Sequence, residues 1–406
     1  MTPPADKVRL DWALFLVVIV GSQGFSAFLP GDAANIAISL SALIMAASVL
    51  PRLGPGLGVV ASNPLVFLLA VFYLASALLS PRPLVALFFA GVLILMIVFF
   101  GLRRDEAERS IRTFALAATF SLVPSIVGIV APIAPVLGGV GKGGGYAGYF
   151  PWNSSAGLCA AAALLSIALT YRALGFVWWQ LPAAAAALLM LTVSKSATSL
   201  FALAAAAGLF GLLVLWHKSG TQLRPLVVIA VAITGFALGP RAINFLSREQ
   251  LSDVAQREES FSGRTRIWQW ALDGISESPY VGHGTDFWQS FGQWSRSAHN
   301  GLLDVALSAG LPAALVLVAI VALAAARLTS TMGLLLPFLA FGVVANFTLS
   351  QLTAPVIPAL ALWLAVGTTL RIGRSRTDSV TVAGAAVSKI PGGGSAQTIT
   401  ARTARS

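Results

Sequence analysis

Apolar runs of about 18 to 22 residues recur from Leu10 to Leu370, each long enough to cross a hydrocarbon core of roughly 30 Å as an α-helix. They are far too long for barrel strands. In lipid every backbone N–H and C=O needs an internal partner, so the runs predict an all-α polytopic membrane protein. Composition agrees: 57% of the 406 residues are hydrophobic, 10% are charged, and the mean hydropathy is +0.84, beyond what a soluble surface tolerates. The runs place about twelve spans, at 11–29, 33–50, 64–80, 83–102, 112–134, 154–171, 173–193, 197–216, 224–239, 300–326, 331–350 and 354–371. The first is read as a retained helix, because no separate cleavage pattern follows it.

A net charge of +11 would suggest nucleic acid in a soluble protein, but here the basic residues lie in the short connections and report topology. With the N-terminus inside, Lys7, Arg9, Arg52, Arg103, Arg104, Arg109, Arg112, Arg172, Lys218, Arg224, Arg327, Arg371, Arg374 and Arg376 share the cytoplasmic side. The short outer loops carry only Arg82, Lys142 and Lys195. Both termini are then cytoplasmic, and no nucleic-acid partner is expected. The chain divides into a membrane domain, 1–373, and a disordered cytoplasmic tail, 374–406, rich in Gly, Ser, Thr, Ala and Arg. Cys159 lies inside an apolar run, so it reads as a small buried hydrophobe.

One connection is long. Residues 240–298 fall on the outer face and gather acids, His283 and Trp268, Trp270, Trp288 and Trp294, with His299 at their end. So long and aromatic a loop is expected to be ordered and functional. Within it "TRIWQWALDGISESP" spaces Ile267, Trp268, Leu272 and Ile275 along one helical face and stops before Pro279, predicting a short amphipathic helix at the membrane surface.

Three sets of residues could carry chemistry. In "SGRTRIW" Arg264 precedes Trp268 by one helical turn; its planar donor fork suits a phosphate, although an arginine snorkelling to loop acids or headgroups has the same pattern. In "SAHNGLLDVALSAG" His299 could accept a proton from a hydroxyl, while Asn300 suits a helix N-cap and leaves His299 an interfacial polar residue. In "TVSKSATSL" Lys195 stands among Ser194, Ser196 and Thr198, and no acid occurs between Glu108 and Glu249 to neutralise it. It could hold an anion or snorkel. His283, in "VGHG", is turn chemistry rather than a base, and His217 is structural. The glycines of "GKGGGYAGYFPWNSSAGL", 141–158, lack nucleotide-cradle spacing, so no nucleotide is expected there. There is no Asp-x-Asp or His-x-x-x-His, so no metal or other cofactor is expected.

Together these segments resemble the O-antigen ligase and polymerase superfamily of bacterial envelope glycosyltransferases. "FSGRTRIWQWALDGISESPYVGHGTDFW" followed by "SAHNGLLDVALSAGLP" is similar to its G-R-x-x-x-W, P-x-x-G-x-G and H-N-x-x-L elements in order. "SKSATSL" is similar to its serine-basic turn, and "GYFPWNSSAGL" to its glycine-aromatic-Asn segment, although Trp152 stands where many members have a basic residue. The resemblance implies a bacterial inner-membrane enzyme whose long loop is periplasmic. It further implies metal-independent, inverting transfer of a glycan from undecaprenyl diphosphate to an acceptor hydroxyl. Arg264 and His299 would be catalytic; Arg264, Lys195 and Arg266 would hold the diphosphate; Asn300, Trp268, Ser194 and Ser196 would support them. The closest likeness is to the exopolysaccharide polymerisation branch, with a ligase acting on lipid A core as the alternative. Implied partners are the lipid-linked glycan, membrane lipid, and polysaccharide chain-length or export proteins. A transporter or flippase would also have about twelve spans, but two-halved transporters place their long connection centrally and inside.

Overall fold

The computed structural model describes residues 5–22, 24–25, 28, 40, 47, 53–79, 97, 99–100, 102, 104–131, 145–150, 152–218, 260–284, 298, 300–331, 335–348 and 358–369. Among them every regular element is a helix and no strand occurs. The expected spans 33–50 and 224–239, most of 83–102, and the tail from 374 lie outside the described residues.

The helices are α1 (Ala5–Ser22), α2 (Leu53–Ser62), α3 (Pro64–Leu79), α4 (Arg104–Val130), α5 (Asn153–Leu174), α6 (Gln180–Ser194) and α7 (Ala197–Lys218). Then come α8 (Ser260–Glu277), α9 (Gly301–Ala309), α10 (Leu311–Thr331), α11 (Leu336–Thr348) and α12 (Pro358–Thr369). Two of these, Glu106–Val130 within α4 and Asn153–Ala173 within α5, are long and apolar enough to cross a membrane. The bent pair α2–α3 adds a third if it counts as one span. The chain is a helical, membrane-embedded protein.

α5 is the hub, packing on α4, α6 and α7 and touching α1 and α11. Its run Ala160–Ala163 is fully or almost fully buried, and such small side chains let helix backbones approach closely without a hydrophobic drive between them. Polar groups inside the apolar bundle are satisfied locally: Ser166 Oγ donates to Ala162 O at 2.7 Å and Thr170 Oγ1 to Ser166 O at 2.7 Å. Cys159 is fully buried as expected, its thiol donating to Ala118 O at 3.4 Å.

Four sequence expectations need correction. Residues 53–62 form α2, where a connection was expected, and α2 meets α3 at 103°. Asn63 makes the break: its Oδ1 accepts from Val66 N at 3.4 Å, and Pro64 supplies a first helical position that needs no N–H partner. The expected span 173–193 begins only at Gln180, because Gly175 at φ 80° ends α5 and Trp178 and Trp179 fill a turn. The expected span 300–326 is two helices, α9 and α10, broken at Gly310. On α8, Ile267 and Trp268 are partly buried and Ile275 is buried, but Leu272, one turn from both Trp268 and Ile275, is 55% exposed rather than packed.

Gly310 has φ 88°, and a Cβ there would collide with the Tyr280 carbonyl. Its substitution by alanine therefore forces both a strained backbone and a clash, and Gly310→Ala should cost about 1–3 kcal/mol. Thermal unfolding of the detergent-solubilised protein checks this; an unchanged midpoint would contradict the fold at this break.

Candidate active site

Two polar clusters form where helices end. The first joins α8 to α9. Trp268 Nε1–H donates to the Ala298 carbonyl at 2.9 Å, and Ala298 N–H donates to Asp304 Oδ1 at 2.8 Å. Asn300 takes extended backbone angles and its Oδ1 accepts from Leu302 N at 3.0 Å and Leu303 N at 3.2 Å, the expected N-cap. The chain is thus held on both sides of position 299. Asp304 sits in the first turn of α9, where its charge complements the helix N-terminus. Its role in fixing Ala298 was not foreseen, because an i to i+6 side-chain bond to the backbone has no sequence periodicity.

The "PYVGHG" turn locks the same pair of helices from the other end. His283 N–H donates to Leu307 O at 2.8 Å, Gly284 N–H to Ser308 O at 3.0 Å and Leu311 N–H to Pro279 O at 2.8 Å. The His283 ring lies 2.7 Å from the Gly274 carbonyl through Nε2, which must carry the proton there because a carbonyl only accepts. Gly282 at φ 72° and Gly284 at φ 79° provide the backbone path, and a Cβ on Gly282 would strike Ser308. His283 is turn chemistry, as read from its glycine flanks. Ser76 of α3 also donates to Ser308 O at 3.0 Å, tying this unit to the bundle.

The second cluster surrounds Lys195. Lys195 ends α6 with φ 47° and ψ 35°, the one non-glycine residue with positive φ among the described residues, and its side chain is exposed. Its neighbours Ser194 and Ser196 are buried. Ser196 Oγ accepts from Ser199 N at 3.4 Å and from Ser199 Oγ at 2.7 Å, starting α7 immediately after the lysine. The glycine-rich segment lies against this turn: Tyr146 N–H donates to Val193 O at 2.8 Å, and Asn153 Nδ2 donates to Ser194 O at 3.2 Å. Cβ atoms at Gly145 or Gly157 would collide with Ser194 or with the Ser194, Ser196 and Ser199 side chains. On its far side the segment rests on α4, with Tyr149 N–H donating to Ser125 Oγ and Tyr146 Oη to Ser125 O, both at 2.9 Å. Burial first, then Tyr149, pushes the Tyr146 phenol upward, so it remains a donor through neutral pH.

Of the expected site residues, Trp268, Asn300, Ser194, Ser196 and Lys195 are placed as described. Arg264 and Arg266 lie in α8, Arg264 one turn before Trp268 as the sequence required, but their side chains and His299 lie outside the described residues.

A helical membrane protein with capped polar turns at its helix ends is the class that this architecture defines. Within it, residues 182–318 match the family model for O-antigen ligase, which supports membership of the O-antigen ligase/polymerase superfamily. Glycan transfer of the ligase or polymerase type, on lipid-linked glycans, is the activity of that family. The match takes in the Lys195 turn, α8, the 279–284 turn and α9, and stops short of the 145–153 segment. No curated protein matches the chain.

Asn300→Ala removes the cap from two N–H groups and should cost about 1 kcal/mol of stability, whereas Asn300→Asp should retain most of it. Thermal unfolding of the three proteins checks the order; equal midpoints would contradict the cap.

Proposed function

We propose that the chain transfers a glycan from undecaprenyl diphosphate to an acceptor hydroxyl with inversion and without a metal, polymerising exopolysaccharide or O-antigen repeat units. The acceptor oxygen attacks the anomeric carbon, the bond from that carbon to the diphosphate oxygen breaks, and undecaprenyl diphosphate departs with the bonding pair. His299 takes the hydroxyl proton. Arg264, with Arg266 and Lys195, holds the diphosphate and offsets the charge that grows on it, work that fixed cations do well in a partly dehydrated site.

The observation that carries this reading is the Trp268 to Ala298 hydrogen bond inside the matched segment. It ties the helix bearing Arg264 to the residue immediately before His299. The attendant topology is about twelve spans in the inner membrane with both termini cytoplasmic, an orientation that the charge distribution in the short connections supports. In that topology 1–373 is the membrane domain, 240–298 the periplasmic loop and 374–406 the cytoplasmic tail. Polysaccharide chain-length or export proteins are the partners such a product calls for. A second reading, ligation to lipid A core, shares every residue and differs only in the acceptor. Polymerisation is favoured by "GRTRIW", "GHGTDFW" and "SAHNGLLD".

Purified protein reconstituted with lipid-linked repeat units tests the proposal. The wild type should produce a ladder of products, and folded His299→Ala and Arg264→Ala should each lose about a hundredfold or more in rate. A single transfer to added lipid A core, without a ladder, would select the ligase. Full activity in both variants would remove the assigned site.

A further inference from the structure

Lys195 poses a physical question that its exposure does not answer. A left-handed backbone suits glycine or asparagine at a helix C-terminus, whereas a lysine there is strained. An exposed side chain gains little packing in return, so the surrounding structure must impose the conformation.

The imposing contacts come from the segment 145–153, whose purpose the sequence left open. Tyr146 N–H holds Val193 O, and Asn153 Nδ2 holds Ser194 O, the carbonyl whose peptide bond leads into Lys195. These are two of the orphan acceptors at the end of α6. Asn153 is the first residue of α5, anchored in the most buried helix long enough to cross the membrane, so its carboxamide is a fixed point rather than a mobile cap. Gly145 lets the segment approach, since any side chain there would collide with Ser194 O and Asn153 Nδ2. Beyond Lys195, buried Ser196 opens α7 and Ser199 Oγ reaches back to Ser154 O at 3.5 Å, so α5 grips the turn on both sides.

We infer that Asn153 is a positioning residue: through the Ser194 carbonyl it holds Lys195 left-handed, so that the ammonium stands where the donor diphosphate binds. The inference rests on the assignment of Lys195 to the diphosphate made under the proposed function. Asn153 itself touches no substrate. Its effect therefore exists only while the lysine side chain is present, which separates it from a residue that merely stabilises α5.

A double-mutant cycle reads this dependence. Wild type, Asn153→Ala, Lys195→Ala and the double variant are placed in nanodiscs, and binding of undecaprenyl diphosphate is measured alongside thermal unfolding. Asn153→Ala should weaken binding about fivefold, the loss of one well-placed hydrogen bond's worth of organisation, and the double variant should bind no worse than Lys195→Ala. Where alanine does not fold, Asn153→Ser takes its place, since its hydroxyl is too short to reach Ser194 O. Independent, multiplying losses would overturn the positioning role while leaving the lysine's own role intact. Wild-type affinity in Lys195→Ala would instead remove the diphosphate assignment and the inference with it.

A second measurement needs no ligand. Lys195→Gly relieves the left-handed strain and should raise the unfolding midpoint by a few degrees while abolishing tight donor binding. In the Asn153→Ala background, where the lysine is no longer held, that gain should disappear. An equal gain in both backgrounds would show that Asn153 does not impose the conformation.

Discussion

Hydrocarbon offers no partner to a backbone N–H or C=O, so every place where a helix stops inside this bundle must be closed by another part of the chain. The breaks follow that rule. Asn63 closes the start of α3, Asn300 the start of α9, Pro279 receives the first N–H of α10, and the 145–153 segment closes the end of α6. Polar side chains within the helices, such as Ser166 and Thr170, bond to their own helix, whereas those at the helix ends bond across breaks in the chain. The proposed site and the closure of the fold draw on the same residues, Asn300 and Ser194 among them.

That economy explains the distribution of glycines. Gly145, Gly157, Gly282 and Gly310 each stand where a Cβ would collide with an opposing carbonyl or hydroxyl. They let backbone meet backbone closely enough for N–H groups to reach terminal carbonyls. The same closeness makes α8, the 279–284 turn, α9 and the start of α10 a single braced piece, since each is bonded to the next but one as well as to its neighbour.

Much of this was legible in the sequence and some was not, for physical reasons. The limits of α3 and α5 were read nearly correctly because Asn63-Pro64 and Asn153 stand beside long apolar runs. The N-cap role of Asn300 and the placing of Arg264 and Trp268 on one helix followed from local chemistry. The break at Gly310 did not, because hydropathy is averaged over many residues and Gly310 sits between two apolar stretches. α2 was missed because Gly54, Pro55, Gly56 and Gly58 are poor helix formers, and a tertiary contact of Gly56 with the Ile97 carbonyl accompanies the helix. Leu272 shares that stripe yet stays exposed, because apolar periodicity marks what avoids water without separating protein contacts from lipid contacts. Phe67, Leu78, Phe120 and Val130 are exposed in the same way. The pairing of Asn153 with Ser194 spans 41 residues and depends on how α5 packs against α6, so no local pattern announces it.

The two stems of the 285–297 stretch have a further consequence. Gly284 is bonded to Ser308, and Ala298 is bonded to both Trp268 and Asp304, so the stretch leaves from and returns to the same braced unit. Its ends are fixed whatever path it takes between them. Doubling the length of such a closed excursion costs only about 0.6 kcal/mol, so residues between the stems can be exchanged, lengthened or shortened with little penalty to the scaffold.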